Sequence, residues 1–229
     1  MAAHKFTKQQ LKQDSFVDTT QRVMDYGQRH ATVIGIVLVA IIVLLVGGTY
    51  VKTSRENAAR EASALLYEGQ VLLAQGDHVG AMGPLQDCID LHGGTEFART
   101  ARVSLVQAHL GVGDAQTALA RVDEFMDEVP ADAPVQEDLA VLRAHAVAGT
   151  GDFKAAADAL AATIDAEMAD QIRYQRRVTQ AEWLQAAGLH GEAVRVLEEL
   201  DAAVERGDFD AMVGNDLANR LGVARALAM

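Results

Sequence analysis

Cysteine, proline, aromatic residues and positive charge are all scarce in this chain, and each scarcity removes a class of protein. A single cysteine, Cys88, in 229 residues excludes an internal disulfide framework and a cysteine-based zinc cluster. Aromatic residues make up only 5%, whereas strand-rich folds lean on aromatic and β-branched side chains. With 20 Lys plus Arg against 32 Asp plus Glu, the net charge of −12 argues against a nucleic-acid partner. Catalytic signatures are missing as well: the sequence contains no G-x-x-x-x-G-K-[ST], no H-E-x-x-H and no G-x-S-x-G. Cys88 and His92 stand at a spacing that suits two metal ligands on one helix, but no third ligand accompanies them. His78, His109, His145 and His190 share no repeating carboxylate or cysteine spacing. The expectation is a non-enzymatic protein with no cofactor, no metal and no small-molecule substrate.

What the chain has in quantity is Ala, Leu, Glu, Gln and Arg, a balance that favours helix. Residues 31–51 read ATVIGIVLVAIIVLLVGGTYV without one charge. At ~1.5 Å per residue, such a helix matches the ~30 Å hydrocarbon core of a bilayer, so the run predicts a transmembrane helix. The long polar tail before it, the length of the apolar run and the lack of an A-x-A site disfavour a cleaved signal peptide. Residues 1–30 carry a net charge of +2 and the remainder −14, which favours a cytoplasmic tail and a translocated C-terminal part. Lys52, Arg55 and Arg60, just past the span, weaken that contrast. Three segments result: a short basic tail (1–30), a membrane helix contacting lipid (31–51) and a large acidic domain (52–229).

Within the large domain a repeat stands out. QGDHVGAMGPL (75–85), VGDAQTALARV (112–122), TGDFKAAADAL (150–160) and AGLHGEAVRVL (187–197) align on Gly76, Gly113, Gly151 and Gly188, spaced by 37, 38 and 37 residues. Five residues after these glycines stand Ala81, Ala118, Ala156 and Ala193, and nine after them Leu85, Val122, Leu160 and Leu197. Glycine supplies the positive φ needed just past a helix C-terminus. Asp77, Asp114 and Asp152 then serve as N-caps of a second helix. The alanine lets the two helices approach closely, and the Leu or Val behind it fills their shared core. One such pair cannot bury its apolar face alone, so the units must stack.

These G-D-x-x-x-A-x-x-x-L hairpins resemble the tetratricopeptide repeat (TPR) family. Gly69, seven before Gly76, matches the small residue of the TPR first helix, with Val106, Ala144 and Ala181 at the later equivalents. Pro130 matches the proline that closes a TPR unit. The spacing exceeds the usual 34 residues and the large aromatics of the first helix are missing, so the repeats are divergent. The fold class expected is all-α: a transmembrane helix, an α-solenoid of about four divergent TPR-like hairpins, and a cap helix near 215–229. The pairs fall at about 54–75 with 78–91, 95–111 with 115–128, 135–149 with 153–166, and 169–187 with 190–205, the first continuing from the membrane helix. Pro84 conflicts locally with its helix.

A second resemblance covers the architecture. A polar tail beginning KFTKQQLKQDSF, one span and a divergent acidic TPR array look like the ancillary subunit of the bacterial SecYEG translocon. Residues 95–102 (TEFARTAR) are similar to that family's second-unit opening. This likeness implies a single-pass inner-membrane protein with a periplasmic TPR domain, and translocon subunits and envelope chaperones as protein partners. An adaptor for division or cell-wall assembly, or a cytosol-facing tethered adaptor, fits the same architecture, and homo-oligomerisation stays open. In a TPR array the first helices line the partner groove. Counting back from each glycine places there Leu66, Gln70 and Leu73; Val103, Gln107 and Leu110; Val141 and His145; and Val178, Glu182 and Gln185. Several of these, the valines above all, also suit packing between units. Arg173, Arg176 and Arg177 form a cationic cluster that reads as a solvated helix face. Ala31 and Gly35 make a small-x-x-x-small pair suited to helix contact in a bilayer.

Overall fold

The computed structural model describes residues 31–165, 168–206 and 212–229, without the side chains of 31–35, 38 and 212–215. The basic tail expected at 1–30 lies outside the described residues. Nine helices appear among those described: α1 Ala31–Ala74, α2 His78–His92, α3 Glu96–Gly111, α4 Ala115–Glu128, α5 Val135–Gly149, α6 Phe153–Ala161, α7 Asp170–Ala186, α8 His190–Glu205 and α9 Met212–Ala228. The chain divides into two compact units, Met1–Asn57 and Ala58–Met229.

In the first unit the described part is the start of α1. Ile41, Ile42, Val43, Leu44, Leu45 and Val46 are each 46–74% exposed. Six consecutive helical residues cover the whole circumference at 100° steps, so this stretch has no polar face to turn to water. Among the described residues no helix is long and apolar enough to cross a membrane. That statement reaches only part of the span expected at 31–51, because the side chains at 31–35 and 38 are not described.

The second unit is a stack of helical hairpins, α1 (from Ala58) with α2, α3 with α4, α5 with α6 and α7 with α8, closed by α9. Each hairpin turns on its glycine. Gly76, Gly113, Gly151 and Gly188 have φ of 80°, 79°, 94° and 77°, in the left-handed region. At Gly76 the glycine N–H donates to the Leu73 carbonyl (2.9 Å) and the next N–H, of Asp77, reaches back to Leu72 (2.9 Å). The same pair of bonds recurs at Gly113 and Gly188, with the acceptors Leu110 and His109, and Gln185 and Leu184. These bonds satisfy carbonyls that a helix end leaves without partners. The aspartates then start the second helices: Asp77 accepts from the Gly80 N–H, Asp114 from Thr117 and Asp152 from Ala155. The fourth unit has Leu189 at this position and no side-chain cap.

Close approach follows from the small residues. Ala81, Ala118, Ala156 and Ala193 are all 0% exposed. A Cβ added at Gly69 would stand 2.5 Å from Leu85 Cγ, so the first hairpin closes only around glycine. Between units the rule repeats: a Cβ at Gly111 would run into the His78 ring, and one at Gly149 would meet Ala115 Cβ at 2.6 Å. In these two junctions the first residue of a second helix seats on the glycine ending the next unit's first helix. Leu85, Leu105, Val106, Val122, Phe125 and Leu139 fill one core cluster behind these contacts. Leu184, Leu197, Leu200, Leu217 and Leu221 belong to a second. Where α5 meets α6 the buried residues are mostly alanines (Ala144, Ala146, Ala148, Ala156, Ala157).

One sequence expectation needs correction. The helix expected over 153–166 ends at Ala161, because the chain tightens: the Thr163 and Ile164 amides bond back three residues, and Thr163 Oγ1 donates to the Leu160 carbonyl at 2.7 Å. Pro84 neither ends nor splits its helix, which runs to His92 on the burial of Ala81, Leu85, Cys88 and Ile89.

Gly113→Ala is expected to destabilise the protein by about 1–2 kcal/mol, the cost of an alanine in the left-handed region. Gly191→Ala, inside α8 and facing open space, should instead stabilise it by about 0.5–1 kcal/mol. Urea unfolding of the two variants side by side checks both signs.

Candidate partner groove

The groove positions sort into three rows by their distance from the hairpin glycine. Ten residues before it stand Leu66, Val103, Val141 and Val178, all buried or half-buried; Leu66 is 8% and Val178 7% exposed. Leu66 belongs to the first core cluster, Val103 packs against it, and Val178 belongs to the second. Three residues before the glycine, Leu73, Leu110 and Gln185 are half-buried. Only the row six residues before it is exposed in every unit: Gln70, Gln107, His145 and Glu182. This row is polar throughout and separated by whole units, so it presents one side chain per repeat.

Units two and three hold an open cleft of about 510 Å³ lined by Gln107, Leu110, Gly113, Ala115, Leu142, His145 and Gly149. The structure thereby brings Gln107, Leu110 and His145 together and adds Leu142, Ala115 and Gly149, which counting back from the glycines missed. The signal for these lies in the inter-unit contact itself, since Gly149 must be small for Ala115 to seat on it. His145 meets the half-buried Trp183 of the next unit edge-on, with ring centres 5.0 Å apart and planes at 84°. Desolvation by the surrounding atoms lowers the His145 pKa below its ordinary 6.5. The imidazole is therefore neutral at pH 7, a donor and an acceptor rather than a cation.

In unit four the corresponding residues are already engaged. Val178, Glu182 and Gln185 line a smaller cleft of about 260 Å³ together with Asn219, Arg220 and Val223 of α9. Glu182 is ion-paired to Arg220.

The cationic cluster expected at 173–177 is divided by the fold. Arg176 is structural: it donates to the Thr163 carbonyl (2.7 Å) and to Glu137 Oε1 (2.8 Å), tying the start of α7 to unit three. Arg173 pairs with Asp170, and Arg177 donates to Gln180 Oε1 at 3.3 Å. Elsewhere, buried Arg102 donates to Glu128 at 2.9 Å and lies over the Phe125 ring at 5.6 Å. Cys88 is fully buried, donates to the Ala62 carbonyl at 3.3 Å, and has its pKa raised by burial. His92 faces Glu61 at 3.7 Å, and no group of three metal donors occurs among the described residues.

The stacked hairpins define a TPR-like helical-repeat protein. Among solved structures, the TPR-like repeats of a kinesin light chain-like protein from Podosopora anserina superpose with a TM-score of 0.64 at 16% identity, covering 75% of this chain and 88% of that one. A single-substitution variant of the same protein gives 0.64 at 15% identity, with 75% and 87% covered. No protein-family model and no curated relative matches the sequence.

Lowered histidine pKa values carry a pH signature. Burial also lowers His109, opposed by Asp114 and reinforced by Arg121. A histidine whose folded pKa lies below its unfolded value contributes stability above the unfolded pKa, and that contribution is lost as pH falls through the folded one. Stability should therefore decline as pH falls below about 6.5, the unfolded value. His145→Gln should flatten the part of this decline that tracks the His145 titration followed by NMR.

Proposed function

We propose that this protein is a membrane-tethered adaptor that binds a protein segment along the first-helix face of its TPR-like array. We propose further that it acts as an ancillary translocon subunit at a bacterial inner membrane and links the translocon to periplasmic chaperones. One observation carries the adaptor reading. Exposed Gln107 and His145 border an open cleft with an apolar floor (Leu110, Leu142) and no charged lining residue, and Gln70 continues their row in the first repeat. A surface of this kind suits an extended segment or an amphipathic helix, whose apolar side chains fill the cleft while the amide and neutral imidazole meet its polar groups. Stacked hairpins supply a scaffold on which a few exposed side chains set what is bound.

Tethering is supported by residues 31–51, which are apolar all round, and by the exposure of the described side chains from Ile36 to Val51. In water so large an apolar surface drives association; in a bilayer it is solvated by lipid. The basic tail and acidic array favour the tail inside and the array outside. The TEFARTAR segment and the tail sequence support the translocon assignment.

In spheroplasts with intact inner membranes, added protease should digest residues 52–229 without lysis. Protection until lysis would place the array in the cytoplasm and end the translocon assignment, while leaving a tethered adaptor.

A further inference from the structure

Unit two carries a charge pair that unit four lacks. Eleven residues before their hairpin glycines stand Arg102 and Arg177, whereas units one and three have Leu65 and Ala140 there. In unit two the second helix completes the arginine. Glu128, fifteen residues after Gly113, accepts from Arg102 at 2.9 Å, and the ring of Phe125, twelve after it, lies against the guanidinium. The same offsets from Gly188 reach Ala203 and Leu200. Unit four thus has the arginine without its carboxylate, and a shorter side chain in place of the ring. An open cleft of about 480 Å³ lies there, bordered by Arg177, Leu200 and Ala203. Arg177 is half-buried and donates to Gln180 Oε1 at 3.3 Å, with no carboxylate in ion-pair distance among the described residues. Two more arginines border the same cleft: Arg173, one turn earlier on α7, and Arg206, which follows the last residue of α8. Glu199 is the one acidic residue of the described lining, and Arg173 also pairs with Asp170. A guanidinium has five N–H donors, so an existing partner leaves others to offer. Like charges one turn apart on a helix are mildly destabilising, so packing alone does not call for Arg173 beside Arg177.

We propose that this cleft docks an acidic segment of a partner protein. A glutamate or aspartate of the partner meets Arg177 as Glu128 meets Arg102, and a large apolar side chain next to it takes the place that Phe125 has in unit two. Charge complementarity selects this occupant: three arginines border the cleft in a chain whose net charge is −12, and the acid supplies what Ala203 lacks. Val196, Leu200 and Ala203 form the apolar wall for its neighbour. Hydrogen bonds between a guanidinium and a carboxylate are stronger than neutral ones and fix the geometry of the pair, so one acid in the right place gives specificity. The site shares no lining residue with the Gln107–His145 cleft, and it needs neither the membrane anchor nor the translocon assignment.

Two end-blocked peptides that differ at one position, Ser-Phe-Glu-Ser and Ser-Phe-Gln-Ser, test it when titrated into the full chain in detergent micelles and followed by NMR. The glutamate peptide should shift the Arg177 Nε–H signal and leave that of Arg102, already paired, unmoved. It should bind at least about tenfold more tightly than the glutamine peptide, the scale of one charge-assisted hydrogen-bonded pair. Ala203→Glu supplies the carboxylate of unit two within the chain and should erase this preference, as should Arg177→Gln. Equal binding of the two peptides, or a preference that survives in either variant, would overturn the proposal. So would a preference that appears only when Asp208→Asn and Asp210→Asn are combined, because the chain's own acidic residues would then hold the cleft. Should Ala203→Glu fail to fold, Arg177→Gln decides alone.

Discussion

The whole array depends on the hairpin corner, where a left-handed glycine turns the chain and an alanine five residues later lets the two helices touch. Four glycines with φ between 77° and 94° and four alanines without exposed surface repeat this corner. The turn aims the second helix, the alanine sets how near it lies, and the Leu or Val four residues further fills the space that remains. Because the corner is local in sequence, each hairpin needs few distant contacts to be defined. Stability then comes from stacking, where burying each Leu or Phe contributes about 1.5–3 kcal/mol.

Stacking also decides which residues are left for a partner. His78 on Gly111 and Ala115 on Gly149 set how closely each second helix lies against the next unit's first helix. Once so placed, the rows ten and three residues before each glycine turn at least partly into the core, and the row at six faces out. Polar residues in that row cost nothing in packing, so their identities can be set by what they bind. The fourth unit departs from the others because α9 ties down its Glu182.

Much of the fold was legible in the sequence because the corner is a short motif. The glycines, the aspartate caps and the alanines sit at fixed offsets, and the helix ends expected from them agree with the structure to within about three residues, except after Ala161. That end depends on the Thr163 hydroxyl turning back on the Leu160 carbonyl, a local competition that the helical pattern does not encode. The candidate groove was legible only in part. Gln107, Leu110 and His145 were placed by counting, but the burial of Leu66 depends on how neighbouring helices pack, which spacing within one unit does not fix. Arg176 reads as one of three surface cations, yet it ties two units together through Thr163 and Glu137, an acceptor pair contributed by residues distant in the sequence. The His145–Trp183 contact likewise crosses between units, which no single repeat can reveal.

Photo-crosslinking from single sites tests the central claim, that protein is bound along the first-helix face of units two and three. With the crosslinker at Gln107 or Leu142, the account predicts a discrete protein adduct that a bulky His145→Trp substitution abolishes. With the crosslinker at Ala120, exposed on the second helix of unit two, no such adduct should form. Equal adducts from both faces, or adducts indifferent to His145→Trp, would contradict the account.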